Sequence, residues 1–354
     1  MTLPSPSLEA PAEEPLFLAA CRGRAGPRRP VWLMRQAGRI LSPYRELKKR
    51  IGSMEAMFRD PAVAADVTLM PVELLGVDAA ILFADIFTPV DPMGCAVTFS
   101  PAPILEYHVA GAADLARLRE IDSERDLGHV AETIGRVRQR LPSGVPLIGF
   151  AGAPFTLATY MAEGGPRSRE FSGYRRLLHG DPSTALGLLD RLTEVSIDYL
   201  SMQARAGAQA LQLFDTWVGW LSLADFESVV LPRLQRIFRH LDALGVPAIY
   251  YANHAAHLVD ALDRVGAHVL SLDWRTDLGA LFRRWEGRIP LQGNLDPARL
   301  FAHPDRVEEE VGRLLRTTEG YPHLFNLGHG VHPETPFASV VRLVETVQGY
   351  GRES

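Results

Sequence analysis

Short apolar runs alternate along this chain with stretches in which apolar residues recur every three or four positions. The runs cover residues 31–34, 79–84, 146–150, 208–214, 247–251, 268–272, 289–292 and 323–327, each with Gly, Pro or Asp close by. Runs this short and this continuously apolar read as strands buried on both faces, the habit of parallel sheets. The intervening stretches read as helices. Leu188, Leu192, Val195 and Tyr199 fall on one helical face, with Asp190, Arg191 and Glu194 among the polar residues between them. Phe226, Val229, Val230, Leu234 and Phe238 repeat in the same way, and Val311, Leu314 and Leu315 make a shorter example. Eight alternating β and α units predict an α/β fold, a single (β/α)8 barrel with its active site at the C-terminal ends of the strands. No glycine-rich phosphate fingerprint follows any run, which weakens the open doubly wound sheet as an alternative. The connections after the second and third runs are the longest, and Gly164-Gly165-Pro166-Arg167-Ser168 reads as a loop.

Composition narrows the class. Over 354 residues, 47% hydrophobic and 22% charged content describe a soluble globular protein with a sizeable core. No apolar run approaches the roughly 18 residues that span a membrane. Residues 1–15 are rich in Pro, Ser and Glu, with neither a basic start nor an apolar segment; they read as a disordered tail ahead of one domain over 16–354. A net charge of -5 argues against a nucleic-acid partner. Cys21 and Cys95 are too few for a disulfide framework or a cysteine zinc site, so a cytoplasmic location is expected.

Chemistry in such a barrel gathers just past the strands. Those positions hold Arg35-Gln36, Asp85, Gly152-Ala153-Pro154-Phe155, Asp215-Thr216-Trp217, Asn253-His254, Asp273-Trp274, Asn294 and Gly328-His329-Gly330. Arg35 and Arg39 follow a strand, and a guanidinium fork donates two parallel hydrogen bonds to one carboxylate. Closure of the barrel would bring His329 towards Arg35, with Asp85 on the other neighbouring strand. Each candidate also has a purely structural reading. The arginines could pair with barrel carboxylates, Asp85 could cap the next turn, and Tyr160 could be a core tyrosine. His254 and His257 sit at helical spacing but lack an evident third ligand, so no metal site is predicted.

Several of these stretches resemble hallmark segments of the uroporphyrinogen decarboxylase family. They are Pro30-Val31-Trp32-Leu33-Met34-Arg35-Gln36-Ala37-Gly38-Arg39, Ile81-Leu82-Phe83-Ala84-Asp85-Ile86, the run from Gly149 through Gly152-Ala153-Pro154-Phe155-Thr156 to Tyr160 and Gly165, Gln212-Leu213-Phe214-Asp215-Thr216-Trp217, Gln292-Gly293-Asn294-Leu295-Asp296-Pro297 and Phe325-Asn326-Leu327-Gly328-His329-Gly330-Val331. The resemblance keeps the family's order and spans roughly residues 16 to 348. It implies a (β/α)8 barrel, usually a homodimer, that uses no metal, pyridoxal phosphate or other cofactor. The implied reaction removes the four acetate carboxyl groups of uroporphyrinogen to give coproporphyrinogen, in haem biosynthesis.

By the same resemblance Asp85, Arg35, Tyr160 and His329 are the catalytic candidates. Arg35, Gln36, Ala37, Gly38, Arg39, Asp85, Tyr160, Thr216 and His329 are the substrate-binding ones. An ionised Asp85 would accept hydrogen bonds from convergent pyrrole N–H groups and favour a cationic intermediate. The arginines would hold substrate carboxylates, and His329 is a plausible proton carrier at neutral pH. Three positions depart from the family pattern: Thr216 in place of Ser, Ile40 in place of Tyr, and Met54 in place of an aromatic residue. Two rival readings remain, a zinc- and thiol-dependent methyltransferase of the same superfamily and a non-catalytic tetrapyrrole binder.

Overall fold

The computed structural model describes residues 14–38, 40–99, 103–163 and 172–351. The predicted tail, apart from its last two residues, and the Gly164–Ser168 loop lie outside them, as does Arg39. Strands are β1 (Ala80–Ile81), β2 (Val97–Phe99), β3 (Pro103–Leu105), β4 (Leu147–Gly152), β5 (Ala210–Asp215), β6 (Ala248–Ala252), β7 (Val269–Leu272), β8 (Leu291–Leu295) and β9 (His323–Leu327). Seven form one curled parallel sheet in the order β1-β4-β5-β6-β7-β8-β9, each neighbour the next strand along the chain. β2 and β3 form a separate antiparallel pair within the long connection after β1. Every residue of β4, β6, β7, β8 and β9 is buried, as their continuous apolar runs require.

The run at 31–34 departs from its prediction. Val31 alone makes a parallel bridge, to Phe325 of β9. Phe325 N–H donates to the Pro30 carbonyl at 2.9 Å, and on the other side Asp78 N–H donates to the Val31 carbonyl at 2.8 Å. The segment thus runs between the two edges of the sheet, but side chains take its next amides. Leu33 N–H donates to Gln36 Oε1 and Met34 N–H to Asn326 Oδ1, both at 2.9 Å. A backbone donor used this way cannot serve a ladder, so regular pairing stops after one residue.

Inside the curl, one layer is polar. Trp32 Nε1 donates to Gln292 Oε1 at 2.9 Å, and Gln292 Nε2 donates to Ser271 Oγ at 2.9 Å and Gln212 Oε1 at 3.2 Å. All four residues are buried. Leaving such a group unpaired would cost about 1–3 kcal/mol, so the layer ties 32, β5, β7 and β8 to one arrangement.

Helices cover the outside of the sheet. The longest, Pro182–Ala206, is capped by Asp181, whose carboxylate accepts from Thr184 N–H at 3.2 Å, and it ends at Gly207 with φ of 117°. Its predicted face of Leu188, Leu192, Val195 and Tyr199 is buried, each side chain contributing roughly 1.5–3 kcal/mol by leaving water. Phe226, Val229, Val230, Leu234 and Phe238 are also buried, on a widened turn at Phe226–Val230 that runs into the helix Leu231–Asp242. Among the described residues no helix is long and apolar enough to cross a membrane.

Candidate active site

The turn after Val31 is built to aim Arg35. Gln36 is fully buried, its Oε1 holding Leu33 N–H and its Nε2 donating to the Ala79 carbonyl at 3.1 Å, next to β1. Ala37 is buried beside it. Arg35 stands on this base with φ of 62°, a left-handed conformation that costs an L residue about 1 kcal/mol or more. The turn therefore directs the Arg35 side chain outward while Gln36 anchors it. Gln36 and Ala37 lie under the turn, and only their backbone is left to meet a ligand.

From the far end of the chain, Val331 N–H donates to the Met34 carbonyl at 3.0 Å. His329 Nδ1 lies 3.4 Å from Met34 Sδ, and the ring stacks on Tyr251 with centroids 6.2 Å apart. Tyr251 itself donates to the Gly328 carbonyl at 2.9 Å, fixing the turn that carries His329. Glycine at 330 leaves room for Arg35, because a Cβ there would stand 2.5 Å from Arg35 Cδ and the arginine side chain would have to shift. The Gly-His-Gly turn and the Arg35 turn are packed against each other.

Asp85 is reached from the other neighbour. Its Oδ1 accepts from Phe87 N–H at 3.0 Å and its own N–H donates to Thr88 Oγ1 at 3.2 Å, so the capping role is real. Among the described residues the second carboxylate oxygen has no such tie. Burial pushes its pKa from 3.8 up to about 6, opposed first by the Phe87 amide and then by the charge of Arg35. At neutral pH the carboxyl is therefore mostly ionised, by about ten to one, and its balance point lies near pH 6. Tyr160, on the helix Pro154–Glu163 after β4, packs edge-on to Phe87 at 5.0 Å and to Trp217 at 5.9 Å. Burial raises its hydroxyl above the ordinary value, Trp217 and Arg35 lower it, and Asp85 raises it. Arg35, Asp85 and Tyr160 thus feel one another's charge, although they come from three separate strand ends.

Thr216 is partly exposed just past β5, with its carbonyl accepting from Asn253 Nδ2 at 3.3 Å. The neighbouring Asp215 carries more of the architecture than the sequence reading gave it. It is fully buried, accepting from Thr156 Oγ1 at 2.6 Å and Tyr250 Oη at 2.8 Å. Burial raises it to about 6 against both hydroxyls. Thr156 Oγ1 in turn accepts from Trp217 N–H at 3.2 Å, so Asp215 sets the position of the indole that packs on Tyr160. The signal for it was present, an acid ending an apolar strand. Its hydroxyl partners are 59 and 35 residues away and could not be read from spacing.

The remaining candidates fall elsewhere. Ile40 is buried in the core, and Met54 Sδ lies 3.5 Å from the Tyr44 hydroxyl. His257 Nε2 lies 2.9 Å from the Leu221 carbonyl, while His254 is exposed with φ of 55°. Both cysteines are buried, and burial pushes the Cys95 thiol up to about 11 and Cys21 higher still.

The family model described as uroporphyrinogen decarboxylase (URO-D) matches residues 12–350. The uroporphyrinogen decarboxylase of Syntrophotalea carbinolica is 47% identical over 332 residues, covering 94% of this chain and 96% of that protein. That of Geotalea uraniireducens is 44% identical, covering 94% and 97%. Among solved structures, a methyltransferase from Methanosarcina mazei superposes with a TM-score of 0.76 over 96% of this chain and 99% of its own, at 21% identity, a likeness of fold. The match spans both turns that meet at Arg35 and the segment after β1 that carries Asp85, and the chain belongs to the uroporphyrinogen decarboxylase family.

Proposed function

We propose that this protein removes the four acetate carboxyl groups of uroporphyrinogen III as CO2, leaving methyl groups and coproporphyrinogen III, in haem biosynthesis. The observation that carries the reading is the meeting of Arg35, Asp85 and Tyr160 beside the His329 turn, in a chain matched over nearly its whole length by decarboxylases of this name. Opposite charges brought together past the strands suit a reaction that must bind carboxylates and stabilise a cation.

The chemistry needs a sink for the electrons of the breaking C–C bond. Protonation of a pyrrole carbon makes a cationic ring. The acetate then loses CO2, its bonding pair neutralising the ring and leaving an exocyclic methylene. Protonation of that methylene and loss of the ring proton give the methyl group, so each acetate consumes one proton net. Asp85, ionised, accepts the pyrrole N–H groups through its free oxygen and stabilises the cationic ring more than the neutral substrate. Arg35, with Arg39, holds substrate carboxylates. Tyr160, Thr216 and His329 hydrogen-bond and position the ring, His329 being the group able to carry a proton near neutral pH. Gln36, Ala37 and Gly38 serve through the backbone of the Arg35 turn.

We take the molecule to be one catalytic domain, a complete (β/α)8 barrel in which the Val31 segment is the eighth stave, working as a cytoplasmic homodimer without a cofactor. Thiol-dependent methyl transfer, the rival on this fold, is disfavoured by the burial of both cysteines. The test is anaerobic incubation of the purified protein with uroporphyrinogen, with product carboxyls counted by chromatography. Wild type should yield coproporphyrinogen and Asp85→Asn should lose most turnover while staying folded. Binding without any decarboxylated product would identify a tetrapyrrole carrier instead, and unaltered turnover of Asp85→Asn would remove Asp85 from the mechanism.

A further inference from the structure

Asp85 borders a second space that the reaction as described does not use. A cavity of about 320 Å³ lies between the helix Met54–Arg59, the β1 connection, the β2–β3 pair and residues 126–129. Among the described residues its lining includes Asp85 but not Arg35, Tyr160, Thr216 or His329. Its other end is wet, with Arg59 largely exposed and paired to Asp91 at 2.5 Å, and Asp85 is the enclosed end. The volume has room for on the order of ten waters.

The charge of the walls says what could enter. Glu55, Asp85, Asp91 and Asp126 face the cavity against Arg59 and His129. Glu55 is held in place, its two oxygens accepting from Phe99 N–H at 2.8 Å and from the Ser53 hydroxyl at 2.7 Å. With Asp91 paired to Arg59, Asp126 paired to Arg125 and the His129 ring mostly neutral, the wall charges left without an ion pair among the described residues are the carboxylates of Glu55 and Asp85, which repel the carboxylates of a substrate. They accept water, hydronium and neutral small molecules. Each acetate lost takes up one proton and releases one CO2. A tetrapyrrole seated over Arg35 and Tyr160 would obstruct the strand-end mouth for as long as it stayed bound.

Resting on the reading of Asp85 as the centre of the site, we propose that this acid-lined side cavity is the service route of the reaction, bringing water-borne protons to the Asp85 end and letting CO2 leave while the macrocycle stays bound. His129, half-buried between Arg59 and Asp91, is the imidazole on that wall. Burial and Arg59 lower its pKa and Asp91 raises it, so it passes protons mostly as the neutral ring. It donates no proton to substrate directly.

The test fills the cavity from its wall. In Val97→Trp the indole enters the space from β2, and in Leu127→Trp from the opposite side. Ile104→Trp adds the same bulk on β3, to a side chain that is exposed and outside the lining. The plugged variants should keep KM within about twofold and lose five-fold or more in kcat. Incompletely decarboxylated intermediates should accumulate, and the solvent deuterium isotope effect should rise. Ile104→Trp should match wild type in all four. His129→Leu, which removes the titrating ring without adding bulk, should lower kcat two-fold or more with KM unchanged, so the route remains testable if a tryptophan variant fails to fold. Folded plugged variants with wild-type kcat and product distribution overturn the route. If Asp85→Asn is inactive in the same assay the reading of Asp85 survives that result, and if Asp85→Asn is active the reading falls by itself.

Discussion

Replacing Asp85 with Asn should make the protein more stable at the same time as it abolishes turnover. The carboxyl ionises at about 6 in the fold against 3.8 ordinarily, because burial outweighs the Phe87 amide and the charge of Arg35. A folded pKa raised above the unfolded one means the protonated carboxyl favours the fold below pH 3.8, and that contribution is lost as pH rises through 6. The gap corresponds to roughly 3 kcal/mol at pH 8 and about 1 kcal/mol at pH 4.5. Asn carries no charge to bury, and its amide oxygen can still accept from Phe87 N–H. At about 2.1 cal/mol/K of unfolding entropy per residue, 3 kcal/mol raises Tm by roughly 4 °C in a chain of this length. Thermal or urea unfolding of wild type and Asp85→Asn at pH 8 and 4.5 measures this. The variant should lead by about 4 °C at pH 8 and by a quarter to a third of that at pH 4.5. In parallel, wild-type kcat should fall as pH drops through about 6. A variant that melts with or below wild type at pH 8 would refute the claim that ionised Asp85 is held against its desolvation cost.

Other substitutions separate aiming from holding. Gly330→Ala puts a methyl 2.5 Å from Arg35 Cδ, the flexible part of a long side chain. It should raise KM about ten-fold or more in the decarboxylation assay with little change in Tm. Gln36→Leu strands the Leu33 amide and the Ala79 carbonyl in the interior. It should cost roughly 2–4 kcal/mol in urea unfolding, lowering activity only as far as the Arg35 turn loosens.

The strands from Leu147 onward were legible because burial on both faces demands continuous apolar runs, and those runs stand out against helical spacing. The first was legible as a place but not as a strand. Its apolar residues are buried, yet Gln36 and Asn326 take the amides of Leu33 and Met34, a choice made by partners 3 and 292 residues away. At the site, Arg35, Asp85, Tyr160 and His329 could be named from motif and topology. Asp215 could not be ranked, since what distinguishes it is the pair of hydroxyls delivered by two other elements. The cavity wall from β2 was equally hidden, because Val97 and Phe99 lie in a pair with only three residues to a strand.

The bridge between Val31 and Phe325 also bears on how the protein is made. The Arg35 turn leaves the ribosome before any strand of the sheet, but what steadies it comes with β9 and the turn after it. Asn326 holds Met34 across 292 residues and His329 meets Met34 across 295. Contacts of such sequence separation form late in folding. A nascent chain carrying β1 to β8 already contains Arg35, Asp85 and Tyr160, yet lacks the segment that sets the first against the others. Fragments truncated before β9 should therefore carry the whole sequence of the anion-binding turn without a working grip on a carboxylate.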